Sequence, residues 1–458
     1  MGDHNRDEEG FGWERSIDRR ALLEKAAVAG GALAAGGLLA GRATAVPYGG
    51  SPGDVTFLST QLNTLSESEA FRNTLLQGFR GKVDAIFAAT DAAFVNRIQA
   101  EAQAGRGSID LMGALHGTFV TLEDKNQLLD LSDVVKDFTK GKSAINPEYL
   151  KLGRLGTNRQ LYIPWIQATY VVAANKKAIR YLPKGAKATR LTYAQYAQWA
   201  KNIREGVGQA RVGFPAGANG LIHRFFQGYL VPAFSGGVVT TFKSPQAANG
   251  WNYMRSLWDN VHPQALAYEF MQDPLLSEEV LVSWEHVARL KAALERRPDD
   301  FTVFPAPTGP RGLAYMPVLA GLAIPRNSPN PAGGKALIRH LLSLSAQART
   351  LSAVGFFPVV GGRLSKRISA GLRLESNAVK LQQTAPKALP SLLPIGLGAE
   401  GGNFNNVYRD TFTRIVVRKE DTTAVLTEQA AKLQAIMDKT GAPCWRPDPP
   451  SNGACRVA

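Results

Sequence analysis

Short apolar runs alternate with amphipathic helical stretches from residue 55 onward, and this alternation restricts the chain to a parallel sheet with helices on its faces. Val55–Ser59 reads as a buried strand, and Glu67–Phe79 as a helix with Phe71, Leu75, Leu76 and Phe79 on one side. Val83–Ala88 is a second strand. Asp91–Ala104 is a helix with Asp91 as its N-cap, ended by Gly105-Arg-Gly107, and Ile109–Met112 is a third strand. Further along, Thr192–Glu205 and Pro245–Val261 read as helices capped by Thr192 and Ser244. The strands Val280–Ser283 and Thr302–Phe304 flank a helix from His286 to Arg296. Gly321–Pro325 is a strand, Ala332–Leu344 and Ala346–Val354 are helices, and Thr422–Lys439 is a long C-terminal helix.

At 458 residues the chain is too long for one small core and fits two or three domains. Its formal net charge is +15. A charge of this size fits nucleic acid, anionic lipid, cell-wall polymer or an anionic ligand. No run of five Lys/Arg and no basic helix with interleaved aromatics occurs, so the charge reads as a solvated surface and nucleic acid is not an expected partner.

The N-terminus reads as an export signal of residues 1–45. Arg19-Arg20 precede the apolar run Ala26–Gly41, and Ala43-Thr44-Ala45 forms an A-x-A cleavage site. The Arg pair ahead of a weakly hydrophobic core resembles the twin-arginine type. The apolar run has 16 residues, many of them glycine, fewer than the ~20 that span a bilayer. Arg42 stands where a lipoprotein signal would carry its acylated Cys, so no lipid anchor forms there. Removing residues 1–45 takes away six Lys/Arg and seven Asp/Glu and leaves +16 on the rest. The expected location is extracytoplasmic.

The two cysteines, Cys444 and Cys455, lie in a tail (residues 441–458) rich in Pro and Gly, and in an exported chain they read as a disulfide. Catalytic signatures are sparse. The six histidines are scattered without H-E-x-x-H, no G-x-S-x-G is present, and no Cys/His cluster suits zinc. No cofactor or metal is expected. Gly396–Gly401 fits G-x-G-x-x-G but follows Leu393-Pro394 rather than a strand, and reads as a loop.

Gln160–Lys177 is an extended apolar segment that breaks at Pro164, resumes, and ends in Asn175-Lys176. It resembles the first interlobe crossing of the family 1 solute-binding proteins, which include maltose- and glycerol-3-phosphate-binding proteins. Other motifs follow in the family's order: Glu69–Arg72, Ile109-Asp110, Leu191–Tyr193, Phe301–Gly309, and Gly321–Pro325 followed by Asn330–Ser343. Asn158-Arg159 and Ala174 depart from the family's Gly-Lys and Tyr. The resemblance implies an α/β, two-lobed periplasmic-binding-protein fold (type II) with a ligand cleft between the lobes. Residues 53–166 plus 312–350 would form lobe 1, and residues 169–308 plus 356–440 lobe 2. It also implies a monomeric capture subunit that delivers a small molecule to an ABC permease.

A sugar presents an apolar C–H face to aromatic rings and a hydroxyl rim to carboxylates and amides, so a cleft should combine both. The expected contacts are Trp165, Gln167 and Tyr170 at the crossing, and Trp284 and Glu285 in lobe 2. Gln61, Asn63, Asp91, His116 and Asn219 complete the set from loops and helix starts. For several of these a simpler role is open: Trp165 can pack under the hinge, Asp91 can be only a cap, and His116 an exposed loop residue. The leading expectation is a carbohydrate ligand. The same fold binding glycerol-3-phosphate or a glycerophosphodiester is the second, and a secreted glycoside-acting enzyme using Glu285 with Asp91 is the third.

Overall fold

The structure is a computed structural model that describes residues 53–141, 143–361 and 368–458. The export signal expected at residues 1–45 lies outside the described residues. In chain order the elements used below are β1 (Val55–Ser59), α1 (Leu65–Ala70), β2 (Val83–Phe87), α2 (Asp91–Gln103), β3 (Leu111–Leu115) and α3 (His116–Glu123). Next come β4 (Ile163–Ala168), β5 (Tyr170–Asn175), α4 (Tyr193–Val207) and β6 (Val212–Gly213). A continuous helix, α5, follows as Ile222–Phe225, a wider turn Phe226–Leu230, and Val231–Ser235. Then come α6 (Pro245–Trp258), β7 (Val282–His286), α7 (Val287–Arg296), β8 (Phe301–Phe304), β9 (Leu313–Tyr315) and β10 (Val318–Ala323). The chain finishes with α8 (Pro331–Leu341), α9 (Leu344–Val354), β11 (Phe357–Pro358), α10 (Ala370–Gln383), β12 (Ala388–Pro390), α11 (Gly401–Phe412) and α12 (Thr422–Thr440).

Two sheets organise the two lobes. The first has the order β11-β4-β10-β3-β1-β2, and the second β6-β7-β5-β8. In the first, β1 runs parallel to β2 and β3, as the alternation requires, whereas β10 runs antiparallel to β3 and β4. β10 is the strand that returns to this sheet from the other lobe. Pro164 sits in β4 without a donor for the ladder, and the register shifts opposite it, between Ala320 and Gly321. Gly321 is required there: a Cβ would lie 2.1 Å from the Tyr162 ring.

The caps follow local chemistry. Thr64 opens α1 in a capping box with Glu67, and Thr192 opens α4 in one with Gln195. Ser244 caps α6 with Pro245 in its first turn. Thr90, not Asp91, caps α2: its side chain accepts from Ala93 N, and Asp91 becomes the first helical residue. The third strand starts at Leu111 rather than Ile109. Asp110 instead turns its carboxylate to Thr56 N, Ser328 Oγ and Asn330 N, stitching β1 to the loop before α8. Likewise β7 lies two residues later than expected and takes in Trp284 and Glu285.

Strand pairing also moves the lobe boundaries. β9 pairs with β12 outside the first sheet, so residues 313–315 leave lobe 1. β11 pairs with β4, so residues 357–358 join lobe 1 rather than lobe 2. The Gly396–Gly401 segment, read from the sequence as a loop, leads into α11 at Gly401. In the tail, Cys444 and Cys455 are disulfide-bonded. Asp448, nearly fully buried, accepts from the backbone N–H groups of Val238, Val239 and Thr240 and from Thr240 Oγ1, which docks the tail on lobe 2.

A candidate ligand cleft between the lobes

Thr169 alone separates β4 in the first sheet from β5 in the second. Its hydroxyl donates to Met316 O (2.9 Å), accepts from Gln382 Nε2 (3.0 Å) and lies 3.0 Å from Tyr229 Oη. Met316 lies between β9 and β10, at the second crossing. Gln167 serves the third: its Nε2 donates to Pro358 O at 2.6 Å, and its Oε1 accepts from Tyr149 Oη at 2.8 Å. These bonds join the crossing strands into one hinge and occupy the Gln167 amide. Gln167, expected to meet the ligand, is a hinge residue.

Trp165 is likewise not in the cleft. It is fully buried in lobe 1, edge-on to Phe57 (5.9 Å) and Phe71 (6.4 Å), so the packing role prevails. Tyr170, the first residue past the hinge, does line the cleft. The β5–β7 register pairs Tyr170 with His286 and Val172 with Trp284, so these four side chains share one face of the sheet. Tyr170 stacks flat on Trp284, with centroids 4.5 Å apart and planes 5° apart. Trp284 is fully buried beneath it and also meets Phe225 and Tyr229. Trp284 therefore supports Tyr170 and does not itself reach the cleft.

Glu285 points to the opposite face of the same sheet, paired with Val171. It is fully buried, and its carboxylate accepts from Met271 N and His286 N. Burial pushes its pKa up to about 7 despite the Arg289 charge and these two bonds. It does not line the cleft with Asp91, so the two do not form a carboxylate pair across a bound glycoside. His116 is also turned inward. Its Nδ1 lies 2.9 Å from the hydroxyl of buried Tyr162, and burial drops its pKa to about 4. Its neighbours Leu115 and Gly117 line the groove instead. Asn219 is on an exposed face of lobe 2, donating to Glu269 Oε1 at 2.7 Å.

The residues that do converge form one groove between the lobes. Its central part is about 180 Å³, with Thr60, Gln61 and Asn63 from the loop after β1 facing Tyr170, Arg224, His286 and Arg289. A second part of about 300 Å³ continues past Thr64, Glu67 and Arg289 toward Phe270. A recess of about 40 Å³ adjoins at Leu115, Arg224 and Leu393 and holds Asp91, Gly398 and Asn405. The Gly396–Gly401 segment does not follow directly on a strand, since residues 391–395 separate it from β12, and its Gly398 and Gly401 line the recess opposite Asp91 and Gly117 of lobe 1. The approach is tight: a Cβ on Gly117 would fall 2.0 Å from Pro394 O.

The two walls differ in charge. Lobe 1 contributes Glu67 and Asp91, and burial raises the pKa of both above the usual carboxylate value. Lobe 2 contributes Arg224 and Arg289. Burial lowers the Arg224 pKa, and the nearby Asp91 and Tyr170 partly offset that. Burial also holds His286 neutral, with a pKa of about 3. Glu67, Arg224, His286 and Arg289 were not singled out from the sequence. Arg224 lies in an aromatic-rich helix and His286 at a helix start, and neither position carries a local mark of function.

The fold matches solved structures over most of their length. Maltose-bound MalE3 of T. maritima is 17% identical, with a TM-score of 0.66, covering 84% of this chain and 100% of that one. A sugar transporter from Arthrobacter chlorophenolicus with bound laminaribiose is 13% identical, with a TM-score of 0.67 and coverage of 83% and 99%. UgpB from Mycobacterium tuberculosis in complex with glycerophosphocholine is 19% identical, with a TM-score of 0.63 and coverage of 84% and 99%. No curated protein matches the chain. Among the described residues no helix is long and apolar enough to cross a membrane. Residues 76–348, more than half of the chain, match the bacterial extracellular solute-binding proteins, and the chain belongs to that family.

Proposed function

We propose that this protein is the extracytoplasmic capture subunit of an ABC importer, taking up a carbohydrate by closure of its two lobes and presenting it to a membrane permease. The observation that carries the reading is the groove itself. One wall supplies Gln61, Asn63 and Glu67 from lobe 1, and the other supplies Tyr170, Arg224 and Arg289 from lobe 2, on either side of a hydrogen-bonded hinge. Hydrogen-bonding groups beside a buttressed aromatic ring suit a sugar's hydroxyl rim and C–H face. Because both lobes contribute, a ligand held by both stabilises the closed arrangement over the open one by contacts that only closure makes. Carbohydrates of the kinds bound in the structural relatives, maltose and laminaribiose among them, are the first ligands to try.

A thermal-shift panel of mono- and oligosaccharides tests this. A true ligand at 100 times its Kd stabilises the fold by about 2.7 kcal/mol, and Tyr170→Ala removes that gain. No stabilisation by any sugar, sugar acid or polyol phosphate, or chemical conversion of the bound ligand, refutes the reading.

A further inference from the structure

Arg289 rises from the first turn of α7 and lines both larger parts of the groove. Its guanidinium carbon lies over the Phe270 ring, 4.5 Å from the centroid. Its Nη1 is buried without a hydrogen-bond partner. Arg224, on α5, lines the central part and the recess, and its Nη1 donates to Gln227 Oε1 at 3.1 Å. Neither arginine forms an ion pair among the described residues. The contrast with a structural arginine is plain: Arg255, also part-buried, is held by Ile415 O, Glu420 O and Thr422 Oγ1.

A part-buried guanidinium with one buried idle donor is costly, because the lost hydration of that N–H is not replaced. The carboxylates on the facing wall do not repay it. Glu67 and Asp91 stand beyond ion-pairing distance, and Glu67 already spends one oxygen on Thr64 N. Burial also favours their protonated forms, whereas guanidinium stays charged. Arg409, whose guanidinium bonds Gly217 O and Gly220 O, adds its positive field beside Arg224. The groove is therefore cationic on its lobe 2 side and rich in hydroxyl-binding groups on its lobe 1 side. Closure over a neutral sugar would desolvate both guanidinium groups further, against only the offsets that Asp91 and Tyr170 give Arg224 and that Glu285 gives Arg289.

Resting on the capture reading above, we propose that the ligand carries an anionic oxygen group, a carboxylate or a phosphate on a hydroxyl-bearing frame, taken by Arg289 and Arg224 while Glu67, Gln61 and Asn63 accept and donate to its hydroxyls. The planar fork of an arginine fits either anion through two parallel N–H···O bonds, and the two arginines at neighbouring points of one groove select for charge before shape.

The test uses matched pairs on the full chain: glucose against glucuronate, and glycerol against glycerol 3-phosphate, by calorimetry and thermal shift, with inorganic phosphate as a competitor. The acidic member of a pair binds, and its neutral partner binds at least about a hundredfold more weakly. Which pair responds separates carboxylate from phosphate. Arg289→Gln and Arg224→Gln each lower the acidic ligand's affinity about tenfold to a hundredfold, Arg289→Lys recovers only part of it, and Arg190→Gln, on an exposed turn, changes nothing. Binding of neutral sugars as tightly as acidic ones, with Arg289→Gln leaving affinity within about twofold, overturns the proposal and leaves carbohydrate capture standing. Silence from both series at about 10 mM ligand refutes capture itself, and the anion proposal with it.

Discussion

Replacing Trp165 separates a core residue from a ligand contact. Its ring is fully buried between Phe57 and Phe71, and Gln347 Nε2 donates to its backbone carbonyl. Truncation to Ala leaves a cavity the size of an indole, which costs about 3–5 kcal/mol. Two edge-to-face contacts add to that loss, each worth about 0.5–1.5 kcal/mol. Trp165→Phe keeps most of the ring and removes an indole N–H that is buried without a partner. Relief of that unsatisfied donor offsets part of the packing loss, so the Phe variant costs about 1–2 kcal/mol. Urea denaturation of both variants, followed by calorimetry with whichever ligand the panel identifies, measures stability and affinity separately. The expected result is a lowered urea midpoint in both, with the Phe variant's affinity unchanged. A Trp165→Phe protein of native stability that has lost tenfold or more in affinity, about 1.4 kcal/mol, would refute the core assignment.

Tyr170→Phe keeps the stack on Trp284 and removes only a hydroxyl at the cleft, so it should leave the urea midpoint unchanged and weaken ligand binding several-fold, about 1 kcal/mol; a lowered midpoint with intact binding would show the ring to be structural only. Glu285 has a folded pKa raised from 4.5 to about 7, so its contribution to stability is complete below pH 4.5 and is lost as pH rises toward 7. The loss is about 3 kcal/mol, and it appears as the difference between wild type and Glu285→Gln, because His286, depressed to about 3, slopes the other way; parallel stability curves for the two proteins would contradict it. Asp448→Ala removes the acceptor of three backbone N–H groups and one hydroxyl and should cost about 2–4 kcal/mol. Reducing the Cys444–Cys455 bond, which spans 11 residues, should cost about 3 kcal/mol. A melting temperature that neither change moves would show that the tail contributes nothing to lobe 2.

The elements of the fold were legible where the signal is local. Apolar periodicity marked β1, β2 and α2, and hydroxyl and proline chemistry marked the starts of α4 and α6. Errors clustered where a partner strand decides. β7 starts at Val282 because β5 pairs with Val282–His286, and β10 starts at Val318 because β4 extends to Ala168. Gly321 looked like a strand start from sequence, yet it is the one position in β10 where the Tyr162 ring leaves no room for a Cβ.

For the site, the sequence by itself determined an extended apolar segment at Gln160–Lys177 with aromatics and amides near it, and its family resemblance implied a crossing between two lobes there. Only the tertiary structure decided which of them line the groove between the lobes. Trp165 and Tyr170 lie five residues apart and look alike, but Thr169 puts one in the lobe 1 core and the other on the cleft face of the second sheet. Trp284 and Glu285 are adjacent and face opposite ways because strand pleating alternates. Arg224 and Arg289 are polar residues on helices and carry no local mark of function. The packing of α5 and α7 within lobe 2 brings them to one wall of the groove, and neighbours so far apart in sequence are not encoded in any local pattern.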